Sequence, residues 1–366
     1  MKTTSIILTS LAAMALPLQA QETKPVPKVQ IALLLDNSGS MSGLLNQART
    51  QLWKVVNEFI AAKRDGVTPE VEVALYDYGA APHCILPLTR DLDAVSRELF
   101  ALGINGGEEY CGAVIKEATT SLNWSKDSGV YKVIFIAGNE PFTQGPVPPS
   151  EACKLAVSQG IIVNTIHCGS DEEGINGGWK NGAVLADGSY MIIDQNSAVA
   201  HVAAPQDAEI VKLSEELNKT YVRYGAHAAE ASMNQSAQDE NAKKAAPAAS
   251  VQRAVTKSSA SVYDNSGWDL VDAVAKNKVK LDEVKKEELP DDLAKLSPEE
   301  LKAHVDKQAA ERKALQEKIQ SLNKEREAFV AAEMKKQGEG TGLDTAMIKA
   351  IRTQAAKQQF NFPEAK

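Results

Sequence analysis

Apolar runs and helical spacings alternate along the first two thirds of the chain. Residues 29–35 (VQIALLL) are almost continuously apolar, the pattern of a strand covered on both faces of a parallel sheet. Residues 44–63 then place Leu44, Leu45, Ala48, Leu52, Val55, Val56, Phe59 and Ile60 at helical spacing. Residues 71–76 (VEVALY) and 84–88 predict a second and a third strand, and 91–101 and 113–122 two helices. Residues 130–137 (VYKVIFIA) predict a central strand. A helix over 150–159 follows, with Ser150 as its N-cap and Gly160 as its stop. Residues 161–168 (IIVNTIHC) predict the next strand, 190–194 a late edge strand and 207–221 a helix. This alternation predicts an α/β fold: a doubly wound, mostly parallel, Rossmann-like sheet with helices on both faces. Ligands of such sheets sit at the carboxyl ends of the strands. The loops after Leu35, Leu102 and Ala137 are therefore where chemistry belongs.

The pattern changes near residue 225. Residues 226–262 are dominated by Ala, Ser, Gln, Asn and Lys and read as a surface-exposed, partly helical linker. Residues 171–188, rich in Gly, Asp, Asn and Glu, read as a solvated loop. From 263 to 366 an α-helical module is expected. Residues 268–276 start it, and Leu289-Pro290 interrupts it. Ser297-Pro298-Glu299-Glu300 reads as a new helix start, with Ser297 as N-cap and Glu300 completing a capping box. One long charged helix then runs to about Lys336. Val305, Arg312, Ile319 and Arg326 recur every seven residues, as do Leu301, Gln308, Leu315, Leu322 and Phe329 on the adjoining row. Such a row is either a coiled-coil seam, open to self-association, or the inner face of a helix packed on its own chain. Gly338, Gly340 and Gly342 end it, and a last helix covers 343–358.

The first twenty residues differ from all of this. Lys2, the apolar stretch 6–18 and a small residue at Ala20 before a polar segment form the pattern of a secretory signal peptide, too short for a membrane span. The expected layout is thus a signal peptide (1–20), an α/β domain (28–225), a linker (226–262) and a helical, partly coiled-coil module (263–366). No later apolar run is long enough to cross a membrane. Export, to the periplasm or beyond, places Cys84, Cys111, Cys153 and Cys168 in an oxidising setting, where two disulfides are expected, Cys153–Cys168 and Cys84–Cys111. The formal net charge of −8 lacks the basic footprint of a nucleic-acid binder and opposes adhesion to anionic lipid.

The residues that carry candidate chemistry follow the first strand. In Asp36-Asn37-Ser38-Gly39-Ser40, a carboxylate and two hydroxyls alternate and can converge above the strand end. These are hard oxygen donors, suited to Mg²⁺ best and to Mn²⁺ or Ca²⁺ as well. In this context the segment Asp36 to Ser42 resembles the DxSxS motif of the von Willebrand factor A domain, and the resemblance extends over about residues 28–225. It implies a metal-ion-dependent adhesion site completed from two further loops. The first usually supplies Thr or an acid after a Gly pair. Here Gly106-Gly107-Glu108-Glu109 leaves Glu109 or Glu108, with Glu109 the first choice. The second usually supplies Asp. Here Gly138-Asn139-Glu140 leaves Asn139 or Glu140, so the site is divergent.

Enzymatic signatures are missing. The five histidines form no HExxH, and no GxSxG, P-loop or GxGxxG stands at a strand–helix junction. The expectation is therefore a non-enzymatic, exported binding protein that engages a carboxylate of a protein or peptide partner through a divalent cation. The alternative is a metal-independent structural or assembly factor acting through its helical tail.

Overall fold

The computed structural model describes residues 26–39, 42–105, 107–193, 202–337 and 343–363. The segment read as a signal peptide, Ser40 and the glycines at 338, 340 and 342 lie outside the described residues. Six strands form one sheet in the order β3-β2-β1-β4-β5-β6. They are β1 (Lys28–Asp36), β2 (Glu70–Tyr78), β3 (Pro82–Thr89), β4 (Tyr131–Gly138), β5 (Ile161–His167) and β6 (Tyr190–Ile192). All neighbours pair in parallel except β2 and β3, which form an antiparallel edge hairpin. The expected doubly wound, mostly parallel α/β fold is present. β1 and β4 are buried along nearly their whole length, because helices cover both faces.

One face packs α1 (Ser42–Ala61) and α2 (Leu92–Ala101) on Ile31, Leu33, Val73, Val133 and Ile166. The other packs α3 (Cys111–Ser121), α4 (Pro149–Ser158) and α6 (Trp179–Leu185) on Leu34, Tyr76, Ile134, Ile136 and Val163. The short α5 (Asp171–Asn176) precedes α6. The stretch 171–188, expected as a solvated loop, is thus mostly helical, and it is anchored by the fully buried Trp179. Ser150 does not cap α4: the cap is Pro148, and Pro149 opens the first turn.

The expected disulfides are not formed; all four cysteines are free. Alternation along β5 explains the first pair. Cys153 on α4 belongs to the core on one face of the sheet, while Cys168 belongs to the core on the other. In the second pair Cys84 is exposed on β3, whereas Cys111 is buried at the start of α3. Even parity reported the compartment expectation, not spatial proximity.

The second half folds back on the first. α7 (Asp207–Asn218), α8 (Ala228–Ala245) and α9 (Pro247–Lys257) lead to α10 (Leu270–Ala275), α11 (Pro298–Gln337) and α12 (Leu343–Ala356). The stretch 226–262, expected as a surface-exposed, partly helical linker, is helical as α8 and α9 but is packed on α1, α2 and α7 rather than exposed throughout. Its polar composition is misleading because its buried side chains include cations. Arg253 is buried between Asp93 (2.7 Å) and Asp239 (2.6 Å), with its guanidinium over the Trp53 ring at 4.9 Å. Lys257 is buried on Asp239 at 2.8 Å.

The capping box of α11 forms: Ser297 and Glu300 exchange backbone-to-side-chain hydrogen bonds of 2.8 and 3.2 Å. The heptad row Val305, Arg312, Ile319 and Arg326 is buried against the helix's own chain, where α11 meets α7, α9 and α10. Of the two readings of this row, the packed amphipathic helix is the one observed. α12 returns to the sheet, adding Met347, Ile351 and Ala355 to the core beneath α1. Among the described residues no helix is long and apolar enough to cross a membrane.

Candidate metal centre

Asp36 is the last residue of β1, and the hydrogen-bonding demands of the strand end there. Its side chain falls on the α3/α4 face, because the apolar alternation of β1 continues through it. The residue is fully buried. Oδ1 accepts the Ser38 backbone N–H at 2.7 Å, and the Ser38 hydroxyl also hydrogen-bonds the carboxylate. Oδ2 is buried with no partner among the described residues. Ser40 lies outside the described residues.

The loop between α2 and α3 brings the second carboxylate. Its position is fixed by the backbone: Asn105 N–H donates to the Asn37 carbonyl at 2.7 Å, and Tyr110 N–H to the Gly79 carbonyl at 2.9 Å. Glu109 N–H donates to the Gln144 Oε1 at 2.6 Å. The result is that Glu109 turns inward, 1% exposed, within hydrogen-bonding reach of Asp36. Glu108 turns outward and accepts the Tyr110 hydroxyl. Of the two adjacent acids, Glu109 joins the site and Glu108 does not.

The third loop contributes differently from expectation. Glu140 is exposed. It supplies its backbone, donating N–H to Glu109 Oε2 at 3.3 Å and accepting the Trp179 indole N–H at its carbonyl at 2.9 Å. Asn139, half-buried, follows the end of β4. The close approach of β4 to β1 requires glycine at 138. A Cβ there would lie 2.6 Å from the Tyr78 hydroxyl and 3.3 Å from the Asp36 Cβ.

The electrostatics follow from this burial. Desolvation first, and the adjacent Glu109 carboxylate second, together push the Asp36 pKa up to about 8 against the lowering hydrogen bonds from Ser38. Burial also pushes up the Cys168 thiol, helped by the fields of Asp36 and Glu109. Among the described residues no Lys, Arg or His forms an ion pair with either carboxylate. Two buried acids without a cation must share a proton or receive a positive ion. Asp36, Glu109 and the Ser38 hydroxyl offer only oxygen donors, and one carboxylate oxygen is unused. This donor set fits a hard divalent cation. Three acidic or Cys/His side chains in metal-binding proximity do not occur among the described residues, so hydroxyls and water must complete any coordination shell.

Residues beyond the expected set also shape the site. Gln144 fixes the Glu109 backbone. Asn37 donates to Asp77 at 2.6 Å, and Asp77 pairs with His83 at 2.7 Å. Tyr78 donates to the Ala137 carbonyl at 3.0 Å. Asn37 occupies a variable position of the Asp36–Ser40 motif, Tyr78 ends the apolar run of β2, and Gln144, Asp77 and His83 lie outside any motif.

The von Willebrand factor type A domain family matches residues 31–140. No curated protein matches the chain. Among solved structures, the conserved protein BatB from Bacteroides thetaiotaomicron is 21% identical, over 45% of this chain and 90% of its own, with a TM-score of 0.37. An aerotolerance-related membrane protein from Bacteroides fragilis is 19% identical, over 45% of this chain and 92% of its own, at 0.34. Proximal thread matrix protein 1 of the mussel byssus, solved with a zinc-occupied MIDAS motif, is 15% identical, over 47% of this chain and 43% of its own, at 0.38.

Proposed function

We propose that this chain, which carries a von Willebrand factor type A domain at residues 31–140, is a non-enzymatic binding protein of the bacterial cell envelope that engages a protein or peptide carboxylate through a divalent cation. One observation carries the reading: Asp36 and Glu109 are buried side by side, with Asp36 Oδ2 unpartnered. Asp36, Ser38 and Glu109 would hold the ion, with Ser40 as a further hydroxyl donor, and Mg²⁺ or Mn²⁺ suits that donor set. The ion would supply an open coordination position to an incoming carboxylate. Gln144 and the Glu140 N–H keep Glu109 turned toward Asp36. The signal-peptide pattern of residues 1–20 supports export.

Calorimetric titration of the full chain with Mg²⁺ and with Mn²⁺ tests the reading. Wild type is expected to bind one ion, and the Asp36→Ala/Ser38→Ala variant none. Equal binding by both, or by neither, removes the cation from the account.

A further inference from the structure

Asn218, Asp239 and Lys257 meet where α7, α8 and α9 come together. Lys257 ends α9, and its side chain is fully buried. Its Nζ touches the Asn218 side-chain carbonyl oxygen at 2.5 Å. It also donates to Asp239 Oδ1 at 3.0 Å and to Oδ2 at 2.8 Å. Asn218 Nδ2 donates to the same Asp239 Oδ2 at 2.6 Å. One carboxylate oxygen therefore contacts both the amine and the nitrogen of the side-chain amide. Arg253 Nε holds the other oxygen at 2.6 Å. Lys132, also buried, donates instead to the backbone carbonyls of Ser125 and Gln159, and among the described residues no carboxylate pairs with it.

Three requirements for exchanging one amide for another coincide here. An amine attacks only when it has lost its proton, and burial lowers the Lys257 pKa. The carbonyl to be attacked is already in contact, so a positioned step replaces a chance encounter. The base for the amine and the acid for the departing nitrogen are one atom, Asp239 Oδ2. Against burial, Lys257 is the foremost charge holding Asp239 ionised. The carboxylate thus becomes a better base as the ammonium gives up its proton, because the two groups titrate together.

We propose that Lys257 and Asn218 join through a side-chain amide bond, with Asp239 as the proton carrier. Asp239 Oδ2 takes a proton from the Lys257 ammonium, and the freed amine attacks Asn218 Cγ. Asp239 returns that proton to Asn218 Nδ2. The Cγ–Nδ2 bond breaks, and the nitrogen leaves as ammonium with a second proton from Nζ. One ammonium and one primary amide become one secondary amide and one free ammonium, so no oxidant or cofactor enters. A cleft of about 290 Å³ between the three helices, lined in part by Asn218, Asp239, Ser214 and Ser236, gives the product its exit. Arg253 keeps its ion pairs with Asp93 and Asp239, so both carboxylates stay compensated once the Lys257 charge is gone. The bond spans a 39-residue separation and staples together α7 and α9, two of the helices on which α11 packs. It does not depend on the Asp36 site.

The test is a tryptic digest of the denatured full chain, read by tandem mass spectrometry. Wild type is expected to yield residues 213–219 joined to residues 254–276 as the main product. The joined species is lighter than the two peptides together by the mass of one ammonia, and cleavage after Lys257 is lost. Fragment ions place the missing ammonia at Asn218 and Lys257, which separates the link from ammonia loss at another Asn or Gln. Lys257→Arg keeps the positive charge but not the nucleophile, and Asp239→Asn keeps the shape but not the proton carrier. Both are expected to lose the link, with circular dichroism checking that each folds. Separate peptides 213–219 and 254–257 as the main wild-type products overturn the proposal, whether or not the variants fold. A link that persists in folded Asp239→Asn also overturns it, by removing its proton carrier.

Discussion

Asp269 and Asp272, at the start of α10, are buried as Asp36 and Glu109 are at the end of the sheet, but their surroundings differ. Arg312 of α11 reaches Asp272 at 2.7 Å and also donates to the Thr220 carbonyl at 2.6 Å, and its guanidinium pairs with Asp269 as well. The Val222 and Asp272 N–H groups complete Asp269, at 2.6 and 2.9 Å. The same arrangement recurs where Asp93 and Asp239 receive Arg253 and Lys257. Where a buried carboxylate pair joins helices, this chain supplies the cation itself. At Asp36 and Glu109 it supplies none among the described residues. That difference sets the pairs that join helices apart from the pair near the strand ends, and the proposed cation reading rests on it.

The largest effect comes from breaking the self-sufficient pair. Arg312→Ala strands two buried carboxylates and is expected to cost about 3–5 kcal/mol of unfolding free energy, measured by urea denaturation. A loss no larger than that of a surface substitution would show that the contact does not hold α11 to α10. A smaller effect is expected from acid. Asp239 is pushed up by burial, but Lys257 and Arg253 outweigh this and hold its carboxyl well below the usual range. A depressed carboxylate stabilises the fold above its unfolded pKa of about 4 and loses that contribution as pH falls toward its folded value. Thermal midpoints should therefore fall between about pH 4 and pH 2, and the fall should be shallower in Asp239→Asn. An equally steep fall in the variant removes Asp239 from the explanation. The smallest effect has the opposite sign. In chelator above about pH 8, where the Asp36 carboxyl has lost its proton, Asp36→Asn keeps an acceptor for the Ser38 N–H and removes an unpaired buried charge, so the variant should be no less stable than wild type and up to about 1 kcal/mol more stable. A clear destabilisation in chelator would mean that the charge is already compensated.

The sheet was legible because β1 and β4 are continuously apolar, and that pattern survives without knowledge of partners. DxSxS was legible because it stands between a buried-type strand and an amphipathic helix, where its alternating oxygen donors match the family motif. The choice between Glu108 and Glu109 was not legible: adjacent identical residues differ only through the Asn105, Tyr110 and Gln144 tethers, which join segments far apart in sequence. The packing of α9 was hidden for a related reason. Hydropathy treats Arg253 and Lys257 as solvated, whereas Asp93 and Asp239, distant along the chain, make their burial tolerable. The heptad row of α11 stated that one face is covered but not by what. Cysteine parity could not report that β5 directs Cys168 to the face opposite Cys153.

The most direct test of the proposed cation is urea unfolding of the full chain in chelator and in excess Mg²⁺, for wild type and for Glu109→Gln. Ligand present at one hundred times its dissociation constant stabilises a fold by about 2.7 kcal/mol. The account predicts a Mg²⁺-dependent rise of this order in wild type that is much reduced or lost in Glu109→Gln. A wild-type midpoint that does not move with Mg²⁺, or that moves equally in the variant, contradicts it.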